Sequence, residues 1–375
     1  MTGRERILTA MAHSEPDRVP TGENQVYGKL ASHIVGYETL YSTGWEEQKA
    51  LWEGRRDDVV RDYGRTIIDI AHKLEWDYVR VPAVPPEKDY PTPEMTGPYS
   101  WIDSDGRGRR LNPDVGNILQ IDFDTSMSID DLPAEDTFFF EPSQLDALRY
   151  VVETIKKTHF IIGKTPLDGS FPWELTVGLE EFLIRMITDE EFVARATQIH
   201  VNRSVTVINA FLEAGADAIM TTDDYCDNRG PIMGVELFRK FIKPAIAKQA
   251  DAIHAKGGLF VKHTDGNVWE ILDDLVECGI DAWHGIQPGI GMDLASLKKR
   301  YGKRLCLFGG TNCDTMIEGN PDQVVEEVKT AISGAAHGGG LVVTTSNVVQ
   351  PGVKYHNYLA MRKAIRDYGR YPIGI

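Results

Sequence analysis

Short runs rich in β-branched and aromatic residues alternate along this chain with longer stretches in which apolar positions recur at helical spacing. That rhythm predicts a parallel sheet with crossover helices. Eight such runs stand out, at residues 18–20, 78–81, 159–163, 218–222, 259–262, 282–286, 305–308 and 341–345, the first being the shortest. Eight is the strand number of a closed α/β barrel, so the expected fold is α/β, a single (β/α)8 TIM barrel spanning residues 1–375.

The segments between the runs carry the expected helical stripes. Phe238, Phe241, Ile242, Ala245, Ile246, Ala250 and Ile253 form one apolar face, and Ile271, Leu272, Leu275 and Val276 form another. Pro244 falls inside the first stripe and predicts a kink or a helix restart there. Ahead of Val324, Val325, Val328 and Ile332 stands Asn320-Pro321-Asp322-Gln323, which offers an N-cap, a proline at the first helical position and a capping-box partner. Residues 84–142 break the rhythm, being rich in Pro, Asp and Gly, with a hairpin signal at Asp105-Gly106. They are expected to form an inserted hairpin and loop segment over the barrel mouth.

Charge and cysteine content narrow the function classes. The 375 residues include 42% hydrophobic positions and carry a formal net charge of −16, a field that disfavours nucleic acid or an anionic membrane surface as partner. A small molecule or another protein fits better, and a homodimer is compatible with the composition. Cys226, Cys278, Cys306 and Cys313 contain no CxxC pair, which suits a reducing cytoplasm. No apolar run reaches the roughly 18 residues needed to span a bilayer, and the N-terminus lacks a cleavable apolar core.

In a barrel of this kind the chemistry gathers where strands end at their carboxyl side. The residues there are unusually polar: Lys164, Asp168 and later Glu174 after the third run, Asp223, Asp224 and Tyr225 after the fourth, and His263 and Asp265 after the fifth. Gln287, then Thr311, Asn312 and Cys313, then Ser346 and Asn347 follow the last three. His263 and Asp265, two apart, share a strand face and can bind a metal or move a proton. The structural alternative is that Asp265 or Asn267 caps a helix starting near Val268, with His263 a hydrogen-bonded core residue. Asp223 and Asp224 face opposite ways, so one of them is expected to work in the site. His284 sits within its run and is expected to be core or rim. Gly309-Gly310-Thr311-Asn312 follows the seventh run, where barrels often bind phosphate. His337-Gly338-Gly339-Gly340 precedes the eighth run and falls on the opposite face. Trp101, Trp173 and Tyr225 are candidates for shaping a substrate pocket, or are plain core.

Several of these motifs also carry a resemblance. Arg4-Glu5-Arg6-Ile7-Leu8 through Pro16-Asp17-Arg18-Val19-Pro20 resembles the start of the uroporphyrinogen decarboxylase superfamily. The His263-Thr264-Asp265-Gly266-Asn267 turn, Gly309-Gly310-Thr311-Asn312, and the ending from Tyr355-His356-Asn357-Tyr358 to Tyr368-Gly369 are similar to it as well. The resemblance implies an eight-stranded barrel with its site in a deep cleft at the strand ends. It also implies a choice between the haem-pathway decarboxylase and a branch of cobalamin (corrinoid)-dependent methyltransferases.

The decarboxylase binds its tetrapyrrole carboxylates with an arginine-rich segment after the first strand. Here Thr21-Gly22-Glu23-Asn24-Gln25-Val26-Tyr27 stands there instead, with an acid and no arginine, so Glu23 would oppose such a substrate. Thiol-methylating members of the other branch hold zinc with a His-x-Cys pair and a later cysteine. His263 and Asp265 occupy the pair, and Thr344-Thr345-Ser346-Asn347 stands where the later cysteine belongs. Members that demethylate methoxylated compounds, with zinc held by carboxylates and histidine, are more similar.

The resemblance thus implies methyl transfer between a small O-methylated donor and the cobalt of a separate corrinoid protein. His263, Asp265 and a carboxylate such as Glu174 or Asp223 would hold zinc. Asp223, Asp224 and Asn312 would be catalytic, and Gly309, Gly310, Thr311 and Asn347 would bind cofactor. Decarboxylation of another acid is the alternative. A metal-dependent hydrolase would want more strand-end histidines than His263 and His284, and a corrinoid carrier would want an Asp-x-His-x-x-Gly loop.

Overall fold

A computed structural model describes residues 1–375 except 114–115 and 135–137. Seven parallel strands form one sheet in sequence order: β1 (Tyr78–Pro82), β6 (Phe160–Lys164), β7 (Ala218–Thr222), β8 (Leu259–His263), β9 (Ala282–His284), β10 (Cys306–Thr311) and β11 (Leu341–Thr345). The first apolar run supplies the missing stave as isolated bridges. The Val343 amide donates to the Pro20 carbonyl at 3.0 Å, and the Asp77 amide donates to the Thr21 carbonyl at 2.7 Å, so residues 20–21 join β11 to β1 and close the barrel. The expected α/β barrel is therefore present, with its first strand reduced to a bridge.

Strand parity divides the core in two. Tyr78, Phe160, Ile162, Met220, Val261 and Phe308 point inward and pack with Ile7 and Met11, so the helix Gly3–Met11 plugs the amino-terminal end of the barrel. The intervening residues, such as Val79, Ile161, Phe260 and Val343, face the helices outside. The glycines before β11 fit this plug. A Cβ on Gly339 (φ +75°) would sit 2.2 Å from the Ser14 carbonyl oxygen, and the Gly340 amide donates to the Ala10 carbonyl at 3.0 Å.

Local signals read from the chain recur in three places. Phe238–Ile242 is a wide π-helical turn that gives way to the helix Lys243–Ala255 at Pro244, whose missing N–H and bulky ring break the preceding α-helical ladder. Asn320 accepts from the Asp322 and Gln323 amides while the Gln323 side chain accepts from the Asn320 amide, completing the capping box of the helix Pro321–Ala335. The 84–142 insertion, apart from the five positions outside the described residues, carries an antiparallel sheet of β2 (Glu94–Gly97), β3 (Ser100–Ile102), β4 (Gly108–Leu111) and β5 (Ile118–Gln120). Its Asp-Gly turn joins β3 to β4, with Gly106 at φ +80°. Trp101 of this sheet is buried against Trp45 and Trp52, and Phe123 reaches Trp173 in the loop after β6, so the insertion borders the carboxyl end of the barrel. Among the described residues no helix is long and apolar enough to cross a membrane.

Candidate metal centre

Strand β8 delivers the centre. Val261 lies in the barrel interior, so His263, two residues on, projects to the same side at the carboxyl end, and β8–β9 register sets it beside His284. The two imidazoles meet Nδ1 to Nδ1 at 2.7 Å. Asp265 follows in the loop. Its amide donates to Asp224 Oδ1 at 2.9 Å, its Oδ2 accepts from Asn347 Nδ2 at 2.5 Å, and its Oδ1 is buried without a hydrogen-bond partner, 3.9 Å from His263 Nε2. Ligand atoms of Asp224, His263 and Asp265 all lie within 4.8 Å of one another.

This geometry decides between the two readings of the His-x-Asp pair. Asp265 caps no helix, since the next one is Leu272–Glu277, and Asn267 makes the local turn by accepting from the Trp269 amide. One imidazole nitrogen and two carboxylates suit a divalent cation, and the orphaned Asp265 Oδ1 is a lone pair that burial otherwise penalises. The residues fit a metal such as zinc.

Burial sets the protonation of the group. It holds His263 down to about 3, helped by Lys262, Arg80 and Lys164, and it holds His284 well below the usual histidine range. Both rings are therefore neutral at pH 7. With the shared proton on His263 Nδ1, donated to His284 Nδ1, the His263 Nε2 lone pair is free on the Asp265 side. Burial pushes Asp265 up to about 8, with Asp224 adding to the rise. A bound cation would replace that proton.

The other residues singled out in the chain distribute unevenly. Asp224 joins the group, whereas Glu174 sits on the turn Trp173–Leu175 and is not part of it. Asp223 is raised well above the usual carboxylate range by burial and by Asp168. Asn347 touches the centre through Asp265. Asn312 is spent locally, its side chain accepting from the Asp314 amide as N-cap of Cys313–Glu318. Thr311 is buried with its hydroxyl unpartnered. Gly309 packs on Ile286 and Gly310 on Ala331. Gly310 lines a groove of about 680 Å³ outside the barrel whose Asp322, Glu326 and Glu327 would repel a phosphate. Cys313 is an inert thiol, raised by burial and near Ser346 Oγ at 3.4 Å. Tyr225 is core, its hydroxyl 2.6 Å from Ser170 Oγ, and Trp101 is core of the insertion, while Trp173 is half-buried beside Phe123.

One reading changes, and one residue, Arg80, was missed. Glu23 does not oppose a substrate: it turns to the outer face of β11, where it accepts from Thr345 Oγ1 at 2.7 Å near Tyr358, and burial pushes it up to about 8. Arg80, a lone charge in an apolar run, shares the inward face of β1 with Tyr78, and Lys164 ends the inward face of β6 above Ile162. An arginine two residues from an inward tyrosine was the available signal.

A family described as uroporphyrinogen decarboxylase (URO-D) matches residues 127–368. The methylcobamide:CoM methyltransferase MtaA of Methanosarcina barkeri is 27% identical over 194 residues, 52% of this chain and 55% of that protein. The uroporphyrinogen decarboxylase of Shigella flexneri serotype 5b is 26% identical over 224 residues, 54% of this chain and 59% of that protein. The chain thus spans a little over half the length of these curated relatives. A solved methyltransferase from Methanosarcina mazei shares the fold, with a TM-score of 0.73 at 20% identity over 98% of this chain and 99% of that one. With the matched segment covering more than half of its length, the protein belongs to the uroporphyrinogen decarboxylase (URO-D) family.

Proposed function

We propose that this chain is a corrinoid-dependent methyltransferase that moves a methyl group from a small O-methylated compound to the cobalt of a separate corrinoid protein. The observation that carries the reading is the Asp224, His263 and Asp265 group at the barrel mouth, with a buried carboxylate oxygen left unpaired. The likeness to a methylcobamide:CoM methyltransferase supports it at the level of the reaction class.

In this reading Asp224, His263 and Asp265 hold zinc, which supplies Lewis-acid polarisation of the donor's ether oxygen. An all-oxygen-and-nitrogen ligand set leaves a metal more electrophilic than thiolates do, which suits an oxygen leaving group rather than a thiol acceptor. His284 fixes the His263 ring, and Asn347 fixes the Asp265 carboxylate. Asp223, which burial raises well above the usual carboxylate range and whose charge acts on Lys164 at the mouth, is assigned the proton given to the departing oxygen. The C–O bond breaks with its electron pair left on oxygen, and cob(I)alamin supplies the pair for the new C–Co bond. The remaining task is in-line placement of donor and corrinoid, for which a rigid barrel mouth is suited.

The test combines the purified, zinc-loaded chain with free cob(I)alamin and 4-methoxybenzoate or other methoxylated compounds. Conversion of the cob(I)alamin spectrum to that of methylcobalamin, with release of the matching phenol, is expected. His263→Ala should lose it. A second reading, decarboxylation of a carboxylated substrate, is favoured by the basic Arg80 and Lys164 in the mouth and by the likeness to a uroporphyrinogen decarboxylase. Carbon dioxide release without corrinoid would select it.

A further inference from the structure

The methyl-transfer chemistry leaves one part of the mouth unused. We propose that Arg80 and Lys164 together form a subsite for a carboxylate of the substrate, so that the methyl donor, on the function proposed above, is an O-methylated acid.

Both side chains rise from the inward faces of neighbouring strands. Arg80 pairs with Ile162 and Pro82 with Lys164 in the β1–β6 register, which sets the two cations one step apart along adjacent staves. Arg80 is only 7% exposed. Its Nε donates to the Asn24 carbonyl and its Nη2 to Gln25 Oε1 at 2.7 Å, and Gln25 is itself held by Ser42 Oγ at 2.5 Å. Those acceptors are neutral: they aim the guanidinium without balancing its charge. The acidic groups acting on it are the Tyr41, Tyr27, Tyr78 and Tyr63 phenols, which burial keeps protonated.

Lys164 is half-buried and makes no hydrogen bond or ion pair with a described residue. Asp223, Glu174 and Asp168 act on it only at longer range. A cation shielded from water without a directly bonded counter-charge is costly, and its retention beside a second one is accounted for when an anion arrives with the ligand. Arginine's planar fork and lysine's ammonium both suit a carboxylate. The subsite also reverses, locally, the −16 field that would otherwise repel an acidic substrate. An uncharged isostere would leave both cations unpaired, the situation in which polar sites discriminate most strongly.

Calorimetric binding of 4-methoxybenzoate and of 4-methoxybenzamide to the full chain, without corrinoid, tests the subsite apart from the reaction. The acid should bind at least about tenfold tighter than the amide, the worth of a charge-assisted hydrogen bond. That preference should fall to near unity in Arg80→Gln and in Lys164→Met, the second variant guarding against misfolding of the first because Lys164 holds nothing else. Equal affinity for acid and amide, no binding of the acid, or a preference surviving in both variants would overturn the proposal. If the acid binds as expected but no methyl reaches cob(I)alamin, the methyltransferase reading fails and the subsite stands.

Discussion

Two lysines on either side of the barrel wall show how differently the two faces of this sheet are built. Lys262 points outward from β8, fully buried, and is ion-paired to Asp168, bonded to Thr221 Oγ1 at 3.1 Å and seated over the Tyr225 ring at 4.7 Å. Asp168 is tied in turn to Ser170 and to Gln249, which reaches Ser204 at 3.0 Å. Lys164 points inward from β6 and has no such partner. The same contrast separates Tyr225, whose hydroxyl is bonded, from Asp265, whose Oδ1 is not. Around Lys262 the charges and hydroxyls find protein partners and serve the fold, whereas Lys164 and Asp265 Oδ1 at the mouth do not.

The largest effect that would break this comparison belongs to the outer network. Lys262→Met should cost about 3–5 kcal/mol in urea unfolding, because Asp168 is left charged and buried without its partner. A loss below about 1 kcal/mol, the range of an exposed pair, would remove the claim that this network holds the wall. Next comes His284→Phe, which removes the group that fixes the His263 tautomer. It should weaken zinc binding by about ten- to a hundredfold in a competition with a chromophoric chelator, and unchanged affinity would demote His284 to core.

Glu23 sharpens the outer half of the comparison, being an acid with hydroxyl and amide partners and no ion pair. Its carboxyl is raised to about 8 in the folded chain, so the folded state binds the proton more tightly. Its contribution to stability is present below the unfolded value near pH 4 and is lost as pH rises toward 8. Glu23→Gln should therefore be more stable than the parent at pH 8 by about 4 kcal/mol and nearly equal to it at pH 4. The reverse order in thermal melts would mean that Glu23 is charged and compensated. The smallest effect is expected of Lys164→Met, with no loss and a gain of at most about 1 kcal/mol, because it removes a half-buried cation that has no bonded partner. A loss comparable to that of Lys262→Met would erase the difference between the two faces.

How far the chain announced all this depended on periodicity. The seven main strands, the Pro244 restart, the capping box at Asn320 and the Asp-Gly hairpin were legible because each rests on local chemistry or on a period of two or 3.6. His263 and Asp265 were legible for the same reason, since strand parity carries one residue past the end of β8. Beyond that point a loop has no period. Nothing in the spacing says that Asp224 reaches the pair while Glu174, ten residues after β6, does not. Whether Glu23 turns inward or toward Thr345 was likewise closed to pattern, because its stave is a bridge too short to alternate. His284 was read as core or rim and Arg80 was passed over, although parity made both legible, since a polar residue inside an apolar strand is ordinarily satisfied core.

The most direct test of the account is zinc content by plasma mass spectrometry on the purified chain, measured beside His263→Ala. The account predicts near-stoichiometric zinc in the parent and its loss in a variant that keeps the parent's circular dichroism. A parent that takes up no zinc when it is offered, or a His263→Ala chain that holds as much, would contradict the metal centre on which the proposed chemistry stands.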